Sequence, residues 1–394
     1  MTRKAAEGIR VADFSWVVAG PVATKYLGVM GAEVIKVESL KRGDAPRQQP
    51  ADARPFFSAI NHNKKSIQLN LSTDRGKELA RELIKKSDVV IENYATGVME
   101  RMGLGYEALK EIKPDIIMVS SASLGHTGPY KEHIAYGLLV SSYAGIDSIT
   151  GYEDGAPRGM GAPWGDPLTG VHLTLSILAA IHHRDRTGEG QFIDMSMAEA
   201  ISSQIPEAFI DYTLNQKVWG PRGNLDEGAA PHNTYKCVGD DQWVAIAVRK
   251  DAEWDGLRRA MGNPAWSNDP RFATGAGRFE HRAEIDGLVE EWTKQYTKHD
   301  ARRRLQAEGV PSGASLDTRD LVEDPHLIDR NFFALLDHGK GPIQMTGMPW
   351  KISSGEHEYE LVSMLGADND YVFGDLLGLS KEEIAKLTEE QILY

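Results

Sequence analysis

One carboxylate stands where a strongly apolar helix is predicted to begin, and it is the best candidate for chemistry in this sequence. Asp166 lies in residues 161–170, which are poor in helix formers, and the apolar residues 171–181 follow directly. Free backbone N–H groups at a helix start stabilise negative charge, so they could hold this carboxylate or an oxyanion formed beside it. Asp followed by Pro is also a common helix-capping pattern. Spacing alone therefore leaves two interpretations open: a structural cap, or a nucleophilic or acid–base carboxylate.

Composition limits the function classes. The chain has 394 residues, of which 41% are hydrophobic, so we expect two domains and a sizeable core. A formal net charge of −13 argues against nucleic acid as the main partner, because phosphate-backbone binding needs a basic face. The single cysteine, Cys237, excludes an intramolecular disulfide and a cysteine-built metal site. We interpret Cys237 as a packed residue near a strand.

No segment is typical of a membrane or secreted protein. Residues 1–8 lack the apolar core of a signal peptide. The longest apolar stretch, residues 173–181, is shorter than the roughly 20 residues that a membrane-spanning helix needs. We therefore expect a cytoplasmic protein with no membrane partner.

The N-terminal half alternates predicted strands and helices. Residues 9–14 and 32–38 are predicted strands that flank a helix at 22–30, which is the size of a parallel βαβ unit. Further predicted strands and helices follow: strands at 65–70, 89–93, 116–120 and 192–195, and helices at 74–86 and 166–184. This pattern predicts an α/β fold with a doubly wound, parallel sheet.

A Gly-, Pro- and Asn-rich loop at 221–233 marks a predicted domain boundary. A strand at 243–248 and helices at 251–261, 281–295 and 298–308 predict a smaller domain after it. Strand-like pieces beyond Gly339 and a short helix at 381–386 indicate a return to the first domain. The predicted domains are residues 1–220, 221–335 and 336–394.

Motifs of several enzyme classes are missing from the sequence. The turn after the first strand does not match the dinucleotide fingerprint, and no Gly-Lys-Ser/Thr of a P-loop occurs. Adjacent histidines, His182 and His183, point different ways on a helix, and no His/Asp/Glu cluster has metal-ligand spacing. The absence of a Gly-x-Ser-x-Gly elbow disfavours a serine hydrolase. His133 could act as a base, although a surface histidine is the simpler interpretation.

Basic residues follow the ends of predicted strands. Lys41 and Arg42 follow the second strand, and Arg101 lies beyond the segment 92–94 at the end of another. Open α/β sheets bind ligands at the carboxyl ends of their strands. Each basic residue alone could be a solvated surface charge. Together they favour a ligand that carries phosphate.

Several sequence blocks, in order and over nearly the whole chain, resemble the class III CoA-transferases, a family that includes formyl-CoA transferase, carnitine CoA-transferase and α-methylacyl-CoA racemase. The blocks are Gly8-Ile9-Arg10-Val11-Ala12-Asp13-Phe14, Ala19-Gly20-Pro21, residues 27–38, Asn63-Lys64-Lys65-Ser66-Ile67, Glu92-Asn93-Tyr94, Arg101-Met102-Gly103, Gly165-Asp166, Thr187-Gly188-Glu189-Gly190-Gln191 and Gly309-Val310-Pro311-Ser312-Gly313.

The resemblance implies both a fold and a reaction. It implies a large Rossmann-like domain, a smaller domain, and two ring-like chains interlocked as a dimer. The substrates would be an acyl-CoA and a carboxylic acid, with coenzyme A as the group transferred and no metal or redox cofactor. Asp166 falls on the family's catalytic aspartate, which is the nucleophile in the transferases. Backbone N–H groups near Asp166, or in the loop at Gly228, would stabilise each oxyanion.

The resemblance also carries CoA-contacting positions onto this chain. They are Val17, Val18, Ala19, Leu69, Asn93, Tyr94, Val98, Arg101, Tyr136 and Met197. A CoA-binding arginine of formyl-CoA transferase falls on Ser39, and we expect Lys41 or Arg42 to replace it. A glutamine of that enzyme falls on Val18, which predicts a less polar acyl pocket. The loop at 223–228 also lacks that enzyme's glycine run.

The branch within the family depends on Tyr136. The racemase pairs the same aspartate with a histidine, because racemisation needs acid–base groups on both faces of the α-carbon. Tyr136 stands at that position, with His133 three residues away. A neutral tyrosine is a poor base near pH 7, so we predict transfer. Racemisation, and a CoA-binding subunit that supports a related active chain, are the alternatives.

Aromatic residues, together with Val18, indicate the nature of the acyl group. Trp16, Trp164 and Tyr136 suggest an apolar, aromatic acid, although aromatic residues in a turn often serve core packing. Residues 14–21 are similar to the benzylsuccinate CoA-transferase branch, whose enzymes use succinyl-CoA and pair two related subunits. The partner would then be a second copy of this chain or a related subunit.

Overall fold

The computed structural model describes residues 4–39, 41, 43–48, 54–153, 155–161, 164–337, 341–353 and 355–393. The chain divides into two compact units. The first comprises Met1–Asp147, Gly159–Trp219 and Asp329–Tyr394, and the second comprises Ser148–Arg158 and Gly220–Ile328. The predicted boundaries followed residues 220 and 335, and the prediction did not separate the short segment Ser148–Arg158.

The strands are β1 (Arg10–Asp13), β2 (Glu33–Glu38), β3 (Lys64–Gln68), β4 (Val89–Glu92), β5 (Ile117–Ala122), β6 (Phe192–Ser196), β7 (His232–Lys236), β8 (Trp243–Ala247), β9 (Ser312–Ala314), β10 (Phe333–Asp337) and β11 (Pro342–Thr346).

The α-helices are α1 (Ala19–Val29), α2 (Arg54–Asn61), α3 (Asp74–Lys85), α4 (Val98–Arg101), α5 (Tyr106–Ile112), α6 (Gly137–Tyr143), α7 (Ile146–Ile149), α8 (Gly165–Thr187), α9 (Met197–Ser202), α10 (Pro206–Asn215), α11 (Asp251–Ala260), α12 (Gly275–Glu280), α13 (Arg282–Thr293), α14 (Lys298–Ala307), α15 (Thr318–Val322), α16 (Pro325–Asp329) and α17 (Lys381–Glu389). Two 3-10 helices (Ala265–Asn268 and Pro270–Phe272) and a π-helix (Asp370–Leu376) complete the set. Within the described ranges, no helix has both the length and the apolar character that crossing a bilayer requires.

A six-stranded parallel sheet forms the centre of the first unit, which confirms the predicted α/β class. Its strand order is β3-β2-β1-β4-β5-β6. Val11 of β1 pairs with Val34 of β2 on one side and with Val89 of β4 on the other, all in parallel register. The strand order reverses between β1 and β4. Ligand crevices of doubly wound sheets open at such a reversal, beyond the carboxyl ends of the strands.

Each face of this sheet has its own core, as expected for buried parallel strands. On one face, α1 and α8 cover the strands, with Leu27, Leu173 and Ile177 fully buried. On the other face lie α3, the π-helix and α17, with Leu79 and Phe373 at the centre. The packed sheet therefore fixes the positions of the segments that follow β1 and β4.

Helix α8 lies with its backbone close to that of α1. A Cβ on Gly170 would lie 2.9 Å from the carbonyl oxygen of Ala19, closer than side-chain carbons come in proteins. Although α8 is strongly apolar, one of its faces is open, because Val171 and Leu175 are exposed. Its apolar residues therefore form two surfaces, of which the described residues cover one.

The second unit has an antiparallel sheet of order β7-β8-β9 with helices packed on it. Its core includes Tyr235, Trp254 and Ile285. Cys237 is buried immediately after β7, and burial raises the pKa of its thiol. In the first unit, the return segment contributes the antiparallel pair β10 and β11.

Candidate active site

A cavity of about 680 Å³ opens in the first unit where β1, β4 and β5 end. Ligand pockets typically measure about 300–1,000 Å³. Trp16 and Val17 enter it from the turn after β1, and Asn93 and Tyr94 from the segment after β4. These two turns flank the reversal in strand order, so the cavity lies where the topology predicts a ligand crevice.

Most of the residues predicted from sequence to form the site line this one cavity. They are Val17, Ala19, Lys41, Asn93, Tyr94, Val98, Arg101, Tyr136, Asp166 and Met197.

The other predicted contacts lie elsewhere or cannot be placed. The side chain of Val18 packs with Val22 and Ile60 instead of lining the cavity, and Leu69 is fully buried in the core of the sheet. Arg42 lies outside the described residues. Because Val18 turns away from the cavity, its side chain does not change the polarity of the cavity lining.

Asp166 is a carboxylate in the cavity wall that does not act as the helix cap. The N-cap residue of α8 is Trp164, which makes no side-chain capping bond, and Asp166 lies inside the first turn. Its Oδ2 atom is buried and has no hydrogen-bond partner among the described residues. Burial raises the pKa of Asp166 to about 6, against the lowering effect of its own backbone N–H. Asp166 is thus not the N-cap residue of α8, and its role as a nucleophile or acid–base group stays a prediction.

Close packing fixes the position of Asp166. A Cβ on the preceding residue, Gly165, would lie 2.4 Å from Cδ1 of Ile201, so only glycine allows α8 to approach α9 this closely. The Thr169 hydroxyl donates to the Gly165 carbonyl at 2.7 Å. Helix α9 also begins with Met197, which lines the cavity. The carboxylate and Met197 are thus held by the same helix contact.

The turn after β1 is held at each of its backbone groups. The Ser15 N–H donates to Asp13, and the Ser15 carbonyl accepts from Lys36 Nζ at 2.7 Å. The Trp16 N–H donates to Asn93, whose amide donates back to the Trp16 carbonyl, both at 2.9 Å. The Val17 N–H donates to Asp44 Oδ1 at 2.9 Å. Side chains from β1, β2, the segment after β4 and one loop therefore set the shape of this part of the cavity.

Buried charges lie beneath this turn. Asp13 and Lys64 form an ion pair at 3.1 Å, and both side chains are fully buried. Burial lowers the pKa of Lys64 to about 8, although Asp13 partly offsets the effect. Lys64 Nζ also donates to the Pro21 carbonyl at the start of α1. Lys64 therefore supports the turn through buried contacts within the protein.

Glu92 positions Tyr94. Its Oε2 atom accepts the Tyr94 N–H at 2.6 Å, and the Tyr94 ring meets the Trp16 ring edge-on with centroids 6.0 Å apart. Burial raises the pKa of Glu92 to about 7, and hydrogen bonds from Ser120 and Tyr94 limit the rise. Both residues of this contact lie in the sequence block 92–94, but no pattern in that block predicts that Glu92 is buried.

Several cavity residues were not predicted from the sequence. Lys77, Lys131 and Ser121 line the cavity, and Ser121 Oγ is buried without a partner among the described residues. Lys77 lies on the amphipathic α3 and pairs with Asp74 at 3.2 Å, a pattern typical of a solvated helix face. No signal in a single sequence separates such a lysine from a surface charge.

Tyr136 and His133 both line the cavity. Tyr136 is the N-cap residue of α6, and more than half of it is exposed. The His133 ring stacks on Tyr130 with centroids 5.0 Å apart. Trp164 packs against the cluster that contains Ile201, so of the aromatic residues proposed for an acyl pocket, Trp16 and Tyr136 line the cavity.

Within the part of the chain that the structure describes, no three His, Cys, Asp or Glu side chains are grouped as a metal site.

The fold is a doubly wound α/β fold with a cavity at the reversal in strand order, and the Asp166 carboxylate lines this cavity. The chain belongs to CoA-transferase family III, whose model matches residues 6–369. It is therefore a class III CoA-transferase, as the resemblance in the sequence predicted.

Known relatives agree with this membership. The chain is 35% identical to a formyl-CoA:oxalate CoA-transferase of Streptomyces coelicolor, over 100% of both chains. It is 33% identical to a succinyl-CoA–D-citramalate CoA-transferase of Chloroflexus aurantiacus, over 98% of both chains. A CaiB/BaiF family protein from Brucella suis has the same fold, with a TM-score of 0.88, 31% identity, and 95% of this chain and 100% of that chain covered.

Proposed function

We propose that this enzyme moves CoA from an acyl-CoA donor to a carboxylic acid through covalent intermediates on Asp166. The observation that carries the proposal is the Asp166 carboxylate itself, which lines the cavity with a buried oxygen that has no partner among the described residues. A nucleophile needs such an unengaged atom. Its raised pKa of about 6 still leaves the group ionised at neutral pH.

Each step of the proposed reaction exchanges one acyl bond. Asp166 attacks the donor thioester, which gives an aspartyl–acyl anhydride and the CoA thiolate. The thiolate attacks the aspartyl carbonyl, which gives an aspartyl-CoA thioester and releases the donor acid. The acceptor carboxylate attacks that thioester, and a second mixed anhydride forms with release of the thiolate. The thiolate then attacks the acceptor carbonyl, which gives the product acyl-CoA and restores the Asp166 carboxylate.

The residues that line the cavity support a division into one end that binds the acyl group and another that binds the nucleotide part of CoA. Elements that contact the start of α8 bring Ala19, Tyr136 and Met197, which are uncharged. Cationic side chains come from other segments: Lys41 after β2, Lys77 on α3, and Arg101 on α4. We assign the cationic side to the phosphates of CoA, because lysine and arginine are the usual phosphate-binding side chains.

For the substrates we propose succinyl-CoA as donor and an apolar, aromatic acid as acceptor. The donor is suggested by the relative from Chloroflexus aurantiacus, a succinyl-CoA–D-citramalate CoA-transferase. Trp16 and Tyr136 at the cavity support an aromatic acceptor. A screen of acceptor acids with succinyl-CoA and with acetyl-CoA tests both the proposed donor and the proposed acceptor.

The nucleophile is tested by isotope exchange between an acyl-CoA and the labelled acid of the same acyl group, which needs no knowledge of the acceptor. Asp166→Ala and Asp166→Asn should abolish exchange. Hydroxylamine trapping followed by mass spectrometry should find the modification on Asp166 after incubation with acyl-CoA. Retained exchange in Asp166→Ala, or an unmodified Asp166, contradicts the proposed mechanism.

Racemisation at the α-carbon is the second candidate, and His133 is the observation that favours it. His133 and Asp166 line the same cavity, so a second acid–base group is available although Tyr136 occupies the histidine position. A racemase exchanges the α-proton of a chiral 2-methylacyl-CoA with deuterated water when no second acid is present. We expect the wild-type enzyme to show no such exchange.

We also propose that the chain works as an oligomer, of the interlocked type that the resemblance implies. None of the ten residues of α10 is buried against the described parts of the chain. Three of them, Phe209, Ile210 and Leu214, are large apolar residues that are exposed. Val171 and Leu175 of α8 add to the apolar surface. Large apolar patches usually mark interaction surfaces. Light scattering of the purified chain should give a dimer, and its activity alone would exclude the need for a related second subunit.

A further inference from the structure

The backbone of Val17 adopts a strained conformation at the wall of the cavity. Its φ angle is +65°, in the left-handed region that β-branched residues rarely occupy. Residues hold such a conformation only where surrounding contacts impose it, and these positions cluster at active sites. Val17 lines the cavity together with Asp166. The contacts that impose this conformation therefore act on the shape of the reaction site.

Asp44 is the contact that acts on Val17 itself. Its Oδ1 atom accepts the Val17 N–H at 2.9 Å, and its Oδ2 atom lies 3.0 Å from Lys36 Nζ. Lys36 donates in turn to the carbonyl of Ser15, two residues before Val17. Both Asp44 and Lys36 are buried. The carboxylate is thus oriented by an ion pair and shielded from water.

Asp44 lies on a loop, whereas the other groups that hold this turn lie on strands or directly after one. Asp13 and Lys36 lie on strands, and Asn93 directly follows one, so they move only with the sheet. Asp44 lies in the loop after β2, which also brings Ser39 and Lys41 to the cavity. One loop therefore touches both the cationic side of the cavity and the strained turn.

We propose that Asp44 is a positioning residue that couples the nucleotide part of CoA to the reaction site, a role that rests on the function proposed above. Contacts between the CoA phosphates and Lys41 favour the loop position in which Asp44 holds Val17 in its strained conformation. Binding energy from a remote part of the substrate is thereby used at the reacting centre and increases kcat. By linkage, the held turn increases the affinity for the nucleotide part by the same factor by which nucleotide binding favours the held turn.

The test compares an acyl-CoA with the corresponding acyl-pantetheine, which lacks the nucleotide, in the isotope exchange assay. In the wild type, kcat should be much higher for the acyl-CoA. Asp44→Leu removes the acceptor and should lower kcat for the acyl-CoA by about 100-fold, the order of loss caused by misplaced reacting groups, with little change for acyl-pantetheine. Asp44→Asn retains an acceptor oxygen and should keep most of the activity.

Val17→Gly provides a rescue that a loss of folding would not show. Glycine adopts positive φ without strain, so Asp44→Leu/Val17→Gly should regain about tenfold in kcat for acyl-CoA over Asp44→Leu alone. Asp88→Leu is the matched control. Asp88 also accepts a backbone N–H, from Arg10, and pairs with Arg184, but it precedes β4 at the other end of the sheet. That variant should lower the melting temperature and leave the kcat ratio of the two substrates unchanged.

A second readout does not depend on turnover. Hydrogen–deuterium exchange of residues 15–19 should slow when CoA is added to the wild type, respond much less to pantetheine, and not respond to CoA in Asp44→Leu. The inference is overturned if Asp44→Leu lowers kcat equally for both thioesters and the glycine gives no rescue. It is also overturned if CoA protects this turn equally in the variant. A wild type without transfer activity would refute the proposed function, whereas the exchange measurement would still decide the coupling.

Discussion

Asn93 binds both backbone polar groups of Trp16: its Oδ1 atom accepts the Trp16 N–H, and its Nδ2 atom donates to the Trp16 carbonyl, each at 2.9 Å. These two bonds join the segment after β4 to the turn after β1. The two segments flank the point where the strand order reverses. Both functional groups of the amide are thus engaged within the protein, so Asn93 shapes the cavity through Trp16.

Replacing Asn93 with Ala should therefore affect both stability and catalysis. The change leaves two backbone groups without their partner, which we expect to lower the free energy of unfolding by about 1–3 kcal/mol. We expect kcat/KM to fall by about 100-fold, because the turn that carries Trp16 and Val17 loses its position. Urea unfolding and isotope exchange measure the two effects.

Asn369→Ala is the control for that prediction. Asn369 accepts the N–H of Gln68 on β3 at 2.9 Å, outside the cavity lining. This variant should lose stability but keep kcat/KM within about threefold of the wild type, because the reacting groups stay in place. Equal losses of activity in the two variants would contradict a specific role for the bonds between Asn93 and Trp16.

Gly165→Ala should inactivate the enzyme through geometry alone. The added methyl group would lie 2.4 Å from Cδ1 and 3.0 Å from Cγ1 of Ile201, which is fully buried, so we expect α8 to shift and Asp166 to move with it. We expect kcat to fall by at least about 100-fold, since a displacement near 1 Å has that effect on reacting groups. Ile201→Ala removes both clashing atoms, and the double variant should recover a large part of kcat. A double variant no better than Gly165→Ala would show that the glycine matters for another reason.

The pH dependence of stability should identify Asp166 as a destabilising group. Its folded-state pKa of about 6 lies above the ordinary value of 3.8, because burial disfavours the charged form. A raised carboxyl pKa means that the folded state binds the proton more tightly, so stability falls as pH rises from about 4 to about 6. Asp166→Asn should therefore increase the free energy of unfolding by about 2–3 kcal/mol at pH 8 and by less at pH 5. Transfer by the wild type should rise with a midpoint near pH 6, because only the ionised carboxylate attacks.

Glu92 should give a similar signature at higher pH without taking part in the reaction. Burial raises its pKa to about 7 from 4.5, so its contribution to stability falls as pH rises from about 4.5 to 7 and is lost above that range. Glu92→Gln keeps an acceptor for the Tyr94 N–H but does not titrate. The free energy of unfolding, measured with denaturant, should fall between pH 5 and pH 8 by about 2–3 kcal/mol less in the variant than in the wild type. Parallel curves for the two proteins would contradict the buried, titrating state of Glu92.

The sequence predicts the elements of the site better than the contacts between them. The alternation of strands and helices predicts the parallel sheet, and the motif resemblance assigns Asp166, Asn93 and Arg101 to a common site. The sheet order itself does not follow from periodicity, because a strand such as β4, with Val89, Val90 and Ile91 all buried, carries no mark of its neighbours.

Side-chain direction is the main reason why other predictions differ from the structure. Val18 turns towards Val22 and Ile60, whereas its neighbour Val17 lines the cavity. The two are distinguished only by the left-handed backbone at Val17, which valine rarely adopts and which propensity therefore never predicts. Residue type alone also fails to predict the direction of lysine side chains. Lys77 lines the cavity, whereas Lys64 forms a buried ion pair.

The contact between Ala19 and Gly170 has a consequence for the order in which this protein becomes active. These residues are far apart in sequence, yet their helices meet backbone to backbone, and the cavity draws on residues from Trp16 to Met197. Contacts between distant parts of a chain form late, because closing a long loop costs entropy before the contact stabilises anything. During refolding, helical signal should therefore recover before transfer activity, and a nascent chain should carry no activity until α9 has been synthesised.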